Sequence, residues 1–487
     1  MPSIKKNFLY SSILTTANYI FPLFTYPYVS RVLGVTNIGI CNFIDSIIHY
    51  FILISMMGIN IVGIREIAKN RYNQNELNRV FSGLFWINTI TTTIAFLVLV
   101  IATLLVDQLR ERWQMMAIGG LKLMMNYMLI EWLYKGLEEF KFITIRTLII
   151  KVMYVVSVFV FVRHSTDYPI YYLLSVLMIV FNSFINIVYA RRFVSLWVNN
   201  IYIYKYIKPF FILGVYSLLT SMYTSFNVTY LGFVAGDTEV GYYTTATKLY
   251  HILIALFTAL TGVMLPRMSS LIAENRIQEF KSMLIKTYNI LFTFSIPLII
   301  FTMIYAPTII YIIAGAGYEG AITPMRIVMP LMLIIGYEQI IIIQALMPLK
   351  KDNAIFRNSV LGAIVGCILN FILVSSFKSV GSSIVWLVSE VVVLCSAQYY
   401  VWKYLKMQFP WKILFQNLFV NIPLIVFLSL AYGMIKNIWE SIILSIIILP
   451  IYCFIAQRYV IHNKEVYLHT KWVTSVFKHK YKLRKSD

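Results

Sequence analysis

The sequence predicts an all-α integral membrane protein with about fourteen transmembrane helices and no separate soluble domain. Of its 487 residues, 60% are hydrophobic and only 13% are charged, whereas a soluble globular protein carries roughly 25% charged residues. Apolar runs recur from residue 8 to residue 461, and a run of about 20 apolar residues can cross the hydrocarbon core as a helix. The longest polar interruptions, 191–208 and 267–283, are predicted to be short loops.

The apolar runs define the predicted spans in chain order. They lie at 8–30, 38–64, 80–106, 114–134, 142–162, 169–190, 209–234, 240–266, 284–306, 322–347, 354–376, 380–402, 412–434 and 438–460. The first run is not typical of a cleaved signal peptide, because it continues through Pro22 and Pro27 to Ser30 without a small-residue cleavage site. The cysteines are scattered through apolar segments without metal-ligand spacing, so we expect no metal site.

The distribution of basic residues predicts the orientation. With the N-terminus placed in the cytoplasm, 30 of the 41 Lys and Arg residues fall on the inner side and 6 on the outer side. This bias follows the positive-inside rule and places both termini inside. The net charge of +21 is then mainly a topology signal and an attraction to anionic lipid, and it gives no reason to expect nucleic acid as a partner. The basic tail at 462–487 is predicted to rest on the inner leaflet.

A weak repeat relates residues 29–71 to the chain 202 residues later. The matches are Gly34 with Gly236, Thr36 with Thr238, Gly39 with Gly241, His49 with His251, Ile52 with Ile254 and Arg65 with Arg267. Six spans separate the two copies, so both halves face the same way, as in a parallel repeat about an axis along the membrane normal. This predicts two six-helix lobes with a cavity between them, at 1–207 and 208–405, followed by two more helices at 406–461. Arg65, Glu66 and Arg267 are predicted to line the inner mouth.

Short motifs are spread along nearly the whole chain. They are Asn7, Pro22, Arg31-Val32-Leu33-Gly34, Gly39, Gly58-Ile59, Gly63, Arg65-Glu66, Tyr134, Gly136, Glu138, Gly241-Tyr242-Tyr243, Leu265-Pro266-Arg267, Pro297, Gly366, Asn370 and Glu390. In this order, and with fourteen spans, they resemble Wzx-type polysaccharide flippases of the multidrug/oligosaccharidyl-lipid/polysaccharide exporter (MOP) superfamily. The chain departs from that family at Gly381-Ser382, where the family favours Gly-Ala, and Asp45 and His49 match no family pattern.

The resemblance implies a transporter rather than an enzyme. Its substrate would be an oligosaccharide on a polyprenyl diphosphate, turned from the cytoplasmic to the outer leaflet of a bacterial inner membrane for O-antigen or capsule synthesis. The implied partners are this lipid-linked oligosaccharide, membrane lipids, and a polysaccharide polymerase with its chain-length regulator. No catalytic residue and no cofactor is implied, other than H⁺ or Na⁺ as a coupling ion.

Basic residues within or at the ends of spans are the predicted substrate site. A diphosphate is costly to move through hydrocarbon without compensation, and ionisable side chains inside spans face a cavity or a partner. We therefore predict a cationic lumen formed by Arg31, Lys151, Lys248 and Arg326, since arginine binds phosphate with a planar fork and lysine acts as a point charge. Anchoring at the interface is the alternative for Arg31, Lys248 and Arg326, whereas Lys151 lies at mid-depth and cannot easily reach the interface. For Lys122, pairing with another helix is the open alternative.

Acidic residues and histidines within the spans are candidates for ion coupling. They are Asp45, His49, His251, Glu338 and Glu390. Asp45 and His49 lie one turn apart, and therefore on one helix face. Such side chains are the usual material of proton or Na⁺ relays, but they are equally suited to structural ion pairs, for example between Asp45 and Lys248.

Two other functions stay open at this point. A drug or cation exporter of the same superfamily would share the fold, although Lys151 and Lys248 disfavour a cationic substrate. A membrane polysaccharide polymerase or ligase would be expected to carry catalytic side chains on a large outer loop. The longest predicted outer segment, about 307–321, has Glu319 as its single acid and no basic residue, which disfavours such an enzyme.

Overall fold

The structure, a computed structural model, describes residues 4–195 and 203–461. Within these ranges the regular elements are helices, and no residue is in a β-strand. The predicted all-α fold is therefore confirmed. The predicted basic tail at 462–487 and part of the predicted loop at 191–208 lie outside the described residues.

The helices are numbered in chain order. The first ten are α1 (Ile4–Met56), α2 (Ile59–Asn70), α3 (Gln74–Leu105), α4 (Asp107–Arg110), α5 (Trp113–Asn126), α6 (Glu131–Gly136), α7 (Phe140–Phe161), α8 (Tyr168–Ala190), α9 (Ile203–Thr224) and α10 (Phe226–Ala235). The next ten are α11 (Asp237–Ala273), α12 (Ile277–Ile304), α13 (Ala306–Ala314), α14 (Ile322–Val328), α15 (Leu331–Gln339), α16 (Asp352–Leu369), α17 (Ser375–Leu405), α18 (Trp411–Val420), α19 (Ile422–Met434) and α20 (Ile438–Ile455). Short π-helical turns extend α15, α16 and α20, at Ile340–Leu346, Asn370–Val374 and Ala456–Val460.

The chain is a multi-pass membrane protein. Among the described residues, nine helical segments are long and apolar enough to cross a membrane, judged by length and composition. Two of these segments, Leu9–Asn70 and Asp352–Leu405, each contain two of the predicted spans. The number fourteen therefore stays a prediction.

Two glycines turn the chain at equivalent places of the repeat. Gly34 interrupts α1 with φ 77° and ψ 169°, and Gly236 precedes α11 with φ 84° and ψ 177°. Glycine adopts positive φ without the steric cost that a Cβ would add. Both copies of the repeat thus begin their long helix after the same kind of backbone turn.

One predicted loop is wrong. α11 continues through Pro266 and Arg267 to Ala273, and α12 begins at Ile277, so 274–276 is all that separates these helices within the interruption predicted at 267–283. The apolar run ends where the side chains become polar, but the backbone hydrogen bonds of a helix continue regardless of side-chain polarity. Hydropathy therefore marked where the apolar run ends and not where the helix ends.

Two compact units make up the chain. The first consists of Met1–Ala255, Ile310–Val328 and Phe356–Val393, and the second consists of Leu256–Ile309, Met329–Ile355 and Leu394–Asp487. This grouping is spatial, and the lobe boundaries inferred from the repeat stay a prediction.

Each unit has its own buried core. In the first, a cluster around the fully buried Trp132 and Tyr134 includes Phe81 and Phe210. In the second, the ring of Tyr337 stacks on Tyr288 with centroids 4.6 Å apart. Aromatic rings bury much area and bring specific packing geometry, so these clusters fix the helices that carry them.

Repeat-equivalent residues hydrogen-bond to each other within the first unit. The hydroxyls of Thr36 and Thr238 lie 2.9 Å apart, and Asn42 donates from Nδ2 to Thr244 Oγ1 at 3.1 Å. Each pair is separated by the repeat distance of 202 residues. A residue that contacts its own counterpart lies beside a two-fold axis.

The glycines of the same segments pack reciprocally. A Cβ on Gly39 would lie 1.8 Å from the backbone oxygen of Asp237, and a Cβ on Gly241 would lie 2.2 Å from that of Val35. Val35 and Asp237 are themselves 202 residues apart, so each copy presses its glycine on the equivalent residue of the other. The parallel pseudo-repeat predicted from the sequence is thereby confirmed. We call these hydrogen bonds and glycine contacts the axial contact.

Candidate functional site

Three cations follow one another along the first half of α1. Lys151 of α7 donates a hydrogen bond from Nζ to Asn18 Oδ1, and Lys248 of α11 places Nζ 5.0 Å from the centre of the Tyr26 ring. Arg31 follows on α1 itself. At a rise of about 1.5 Å per residue, Asn18 and Tyr26 are about 12 Å apart along the helix. We call Lys151, Lys248 and Arg31 the cationic ladder.

The ammonium groups of Lys151 and Lys248 contact neutral partners. The Lys151 Nζ also lies 5.8 Å from the Phe21 ring centre, and the Tyr26 hydroxyl below Lys248 shares a 2.6 Å hydrogen bond with Thr245. Among the described residues, no ion pair with a carboxylate is formed by either ammonium group. Amide and aromatic partners can hold a cation without neutralising it, so both charges stay available to an anion.

Arg31 has a structural role at the end of the ladder. Its guanidinium donates to the carbonyl oxygens of Pro27 at 2.6 Å, Tyr311 at 3.1 Å and Ile312 at 2.7 Å. The last two belong to the final turn of α13, whose carbonyls have no partner within the helix, and a cation is favoured there by the helix dipole. The side chain is nevertheless exposed. Arg31 thus joins α1 to the C-terminal end of α13, and its positive charge is exposed at that junction.

Asp45 is paired with a lysine other than the one suggested by the sequence. Lys122 of α5 reaches Asp45 at 2.5 Å, with side-chain exposures of 16% and 42% respectively. Lys122 thus pairs with another helix, which was the open alternative for it. Among the described residues, Asp45 thus forms its ion pair with Lys122 and not with Lys248. His49, one turn further along α1, is exposed.

His251 and Glu390 are linked through a tryptophan. The indole Nε1 of Trp386 donates to Glu390 Oε1 at 3.0 Å. The same ring lies 5.9 Å from the His251 ring, centre to centre, and 5.0 Å from that of Tyr250. Glu390 is buried, while His251 is exposed. Two of the predicted coupling residues therefore belong to one local cluster on α11 and α17.

The remaining predicted residues are carried by α14, α15, α2 and α11. Arg326 is exposed on α14, and Glu338 is buried on α15 just before the π-helical turn. Arg65 bonds its neighbour Glu66 at 3.1 Å on α2, and Arg267 is exposed on α11. Helices α2 and α11 thus carry the predicted inner-mouth residues near their C-terminal ends.

A second set of charges follows Arg267 in the chain. Ser270 and Arg276 both donate hydrogen bonds to the Glu274 carboxylate, the latter at 2.9 Å. These bonds lower the pKa of Glu274, because they favour its ionised form. This short connection between α11 and α12 therefore stays charged at neutral pH.

Three residues of these clusters were missed by sequence reasoning. Asn18, Tyr26 and Trp386 carry no formal charge, so a search for ionisable residues within spans passes over them. Tyr26 and Trp386 have no distinguishing signal in a chain with 35 Tyr and 9 Trp. Asn18 could have been found, since a polar amide in the middle of the first apolar run needs a hydrogen-bond partner there.

The family and the relatives of the chain agree with this architecture. The family model described as "Polysaccharide biosynthesis protein" matches residues 4–272. A protein of Escherichia coli (strain K12) named "Putative O-antigen transporter" is 24% identical over 401 residues, which cover 80% of this chain and 95% of that protein. A protein of the same name from Shigella dysenteriae is 27% identical over 399 residues, covering 80% and 98%.

A solved structure shares the fold. The lipid II flippase MurJ, in its inward closed conformation, superposes with a TM-score of 0.76 at 14% sequence identity, covering 93% of this chain and 99% of that one. At this identity the likeness shows the fold alone, whereas the family model covers more than half of the chain. The predicted resemblance is confirmed at the level of the family, and the chain belongs to the polysaccharide biosynthesis protein family.

Proposed function

We propose that this protein flips a polyprenyl-diphosphate-linked oligosaccharide from the cytoplasmic to the outer leaflet of a bacterial inner membrane, for O-antigen or capsule synthesis. Relatives named for O-antigen transport and the shared fold of a lipid II flippase support this substrate class. The proposal makes the protein a transporter and not an enzyme. A polysaccharide polymerase and a chain-length regulator are its proposed partners, and both of its termini are proposed to be cytoplasmic.

The cationic ladder is the observation that carries the proposal. A diphosphate in hydrocarbon without compensating charge is prohibitively costly. Lys151 and Lys248 place two ammonium groups inside apolar helices, and neither forms an ion pair with a carboxylate in the part of the chain that the structure describes. Arg31 adds a guanidinium further along α1. Charge-assisted hydrogen bonds from such groups bind phosphate well. The ladder would let a diphosphate pass from one cation to the next through a central cavity.

Alternating access would require the axial contact to separate. Residues around Gly39 and Gly241 hold the two copies of the repeat together, on the side that the charge distribution predicts to be outer. Release of the glycan to that side needs this contact to open. Gly34 and Gly236, together with Pro22 and Pro27 within α1, supply places where the helices can bend.

Coupling to H⁺ or Na⁺ is proposed at two groups of residues, one around Asp45 and one around Glu390, which we call the acidic clusters. With the cell interior negative, outward movement of an anion is favoured by about 2.3 kcal/mol per charge per 100 mV. If cations of the ladder moved outward together with the diphosphate, the charges would cancel and the membrane potential would no longer favour the movement. Inward movement of H⁺ or Na⁺ would then be needed to drive transport. Asp45 with His49, and Glu390 with Trp386 and His251, are the groups that would carry it.

Flipping of a fluorescent diphosphate-linked oligosaccharide by purified protein in proteoliposomes tests the proposal. We expect Lys151→Gln and Lys248→Gln each to lower the initial rate at least tenfold, because each removes one cation of the path. Lys248→Arg should keep most of the rate. Lys436→Gln is the matched control, since it removes an exposed lysine outside the ladder.

Unchanged rates in both Gln variants would refute the ladder as the substrate path. If the wild type moved no lipid-linked sugar but exported an organic cation, the drug-exporter alternative would replace the flippase proposal.

A further inference from the structure

Tyr26 of α1 contacts two residues of α11 at once. Its hydroxyl lies 2.6 Å from Thr245 Oγ1, and the centre of its ring lies 5.0 Å from Lys248 Nζ. Thr245 and Lys248 are three residues apart and therefore share one face of α11. The two contacts use different parts of the tyrosine, so the hydroxyl can bind α11 while the ring faces the ammonium group.

The direction of the hydroxyl bond follows from a third contact. Thr245 also donates from Oγ1 to the backbone oxygen of Gly241 at 2.7 Å. A threonine hydroxyl has one proton, so Tyr26 donates and Thr245 accepts in the bond between them. Both side chains are buried, with Tyr26 6% exposed and Thr245 1% exposed. The bond therefore holds the tyrosine in one orientation against α11.

The Tyr26 side chain is also packed against α7. It belongs to a buried apolar cluster that includes Val158 and Val162 of that helix. Aromatic rings bury much area and pack with specific geometry. Contacts to α7 and the hydrogen bond to α11 thus fix the ring that lies beside Lys248.

Lys122 and Lys248 differ in the group that holds their charge. Lys122 lies 2.5 Å from Asp45, so a carboxylate balances its charge. Lys248 forms no such ion pair within the described ranges, and the group beside its ammonium is the Tyr26 ring. The face of an aromatic ring attracts a cation but carries no net charge. A diphosphate can therefore bind the Lys248 ammonium without first breaking an ion pair.

We propose that Tyr26 is a positioning residue for flipping, which holds the Lys248 ammonium in place for the diphosphate and releases it to the phosphate oxygens as the substrate passes. This inference rests on the proposed function, in which Lys248 is one cation of the ladder. The ring contacts the ammonium group, and the hydroxyl fixes the ring through Thr245. Tyr26 acts through Lys248, so the role requires no contact between Tyr26 and the substrate.

A double-mutant cycle between Tyr26 and Lys248 tests this role on initial flipping rates. The assay is the proteoliposome assay with the fluorescent diphosphate-linked oligosaccharide. Tyr26→Leu removes the ring and should lower the rate about fivefold, the size expected for one lost cation–π contact. In the Lys248→Gln background the same change should have no further effect, because no ammonium group is left to position. A purely structural ring would lower the rate by the same factor in both backgrounds.

The hydroxyl is tested by two further variants. Tyr26→Phe keeps the ring and should lower the rate about twofold, since one hydrogen bond is lost. Thr245→Val breaks the same bond, so the double variant should be no slower than the slower of the two single variants. A Tyr26→Phe variant as slow as Tyr26→Leu would overturn the role of the ring.

Tyr28 provides the matched control. It lies two residues further along α1, donates its hydroxyl to the Val162 carbonyl at 2.7 Å and packs its ring on Phe159 with centres 4.6 Å apart. Tyr28→Leu thus removes a comparable contact with α7. Any loss of rate that it causes should multiply with the loss in Lys248→Gln. Equal coupling of Tyr26 and Tyr28 to Lys248 would overturn the proposal.

Failure of this inference is distinguishable from failure of the proposed function. An unchanged rate in Lys248→Gln would refute Lys248 as part of the ladder, and the positioning role with it. If Lys248→Gln slowed flipping and Tyr26→Leu slowed it by the same factor in both backgrounds, the positioning role alone would be overturned. Tyr26→Met, an unbranched replacement for the ring, serves in the same cycle should the Leu variant not yield folded protein.

Discussion

The second half of α1 and the first half of α11 are copies of one repeat, yet they distribute charge differently. At the axial contact the copies match closely, with Thr36 against Thr238 and Gly39 facing the α11 copy. Further along, Asp45 corresponds to Thr247, and Lys248 corresponds to Ser46.

This difference in charge between the copies shows which positions a repeat constrains. A residue beside the pseudo-axis contacts its counterpart, so a substitution in one copy alters the packing of both copies. Positions away from the axis contact unrelated helices and can take opposite charges.

The largest effect is expected where the copies are most alike. Gly39→Ala and Gly241→Ala should each destabilise the protein by about 1–3 kcal/mol, because the added methyl collides with a backbone oxygen. Thermal unfolding in a defined detergent measures this cost. Reciprocal packing requires the two variants to behave alike.

Gly262→Ala controls for helix propensity. Among the described residues, no atom lies within 4 Å of a Cβ built on Gly262, so alanine should stabilise its helix by up to about 1 kcal/mol. If Gly39→Ala unfolded at the same temperature as this control, the close axial packing would be disproved.

An intermediate effect is expected where the copies differ in charge. Asp45→Asn leaves Lys122 unpaired within the membrane and should cost about 1–2 kcal/mol, less than for a fully buried pair because Asp45 is 42% exposed. The double variant Asp45→Asn/Lys122→Met should recover much of this loss. A double-mutant cycle on unfolding free energies measures the coupling.

The equivalent residue on α11 provides the comparison. In the described part of the chain, the Thr247 hydroxyl donates to the backbone carbonyl of Thr244 in its own helix and to no other group, so Thr247→Val should cost less than Asp45→Asn. If the unfolding free energies of the two single variants simply added, the coupling energy between Asp45 and Lys122 would be zero. The charge at Asp45 would then give the α1 copy no stabilisation that the α11 copy lacks at Thr247.

The smallest effect is expected at the threonine pair. Thr36→Val and Thr238→Val each remove one hydrogen bond between neutral groups, worth about 0.5–1 kcal/mol. The double variant should be no less stable than either single variant, since one hydrogen bond is lost in all three. A double variant whose loss equals the sum of the singles would show that the hydroxyls act independently of each other.

Much of the fold was predictable because apolar length and charge bias are local properties. The apolar helical segments and the repeat distance of 202 were readable from the chain. The loop predicted at 267–283 was wrong, since side-chain polarity shows where the apolar run ends, while backbone hydrogen bonds decide where α11 ends.

The candidate site was predictable by residue type but not by partner. The sequence by itself determined that Lys122, Lys151 and Lys248 lie within apolar helices, because each of them interrupts an apolar run long enough to form a membrane-spanning helix. Only the tertiary structure decided that Asp45 meets Lys122, and that Asn18 and Tyr26 hold the other two lysines. The physical reason is that hydropathy fixes how long a helix is, whereas its rotation and tilt are set by packing against its neighbours, and rotation decides which side chains meet.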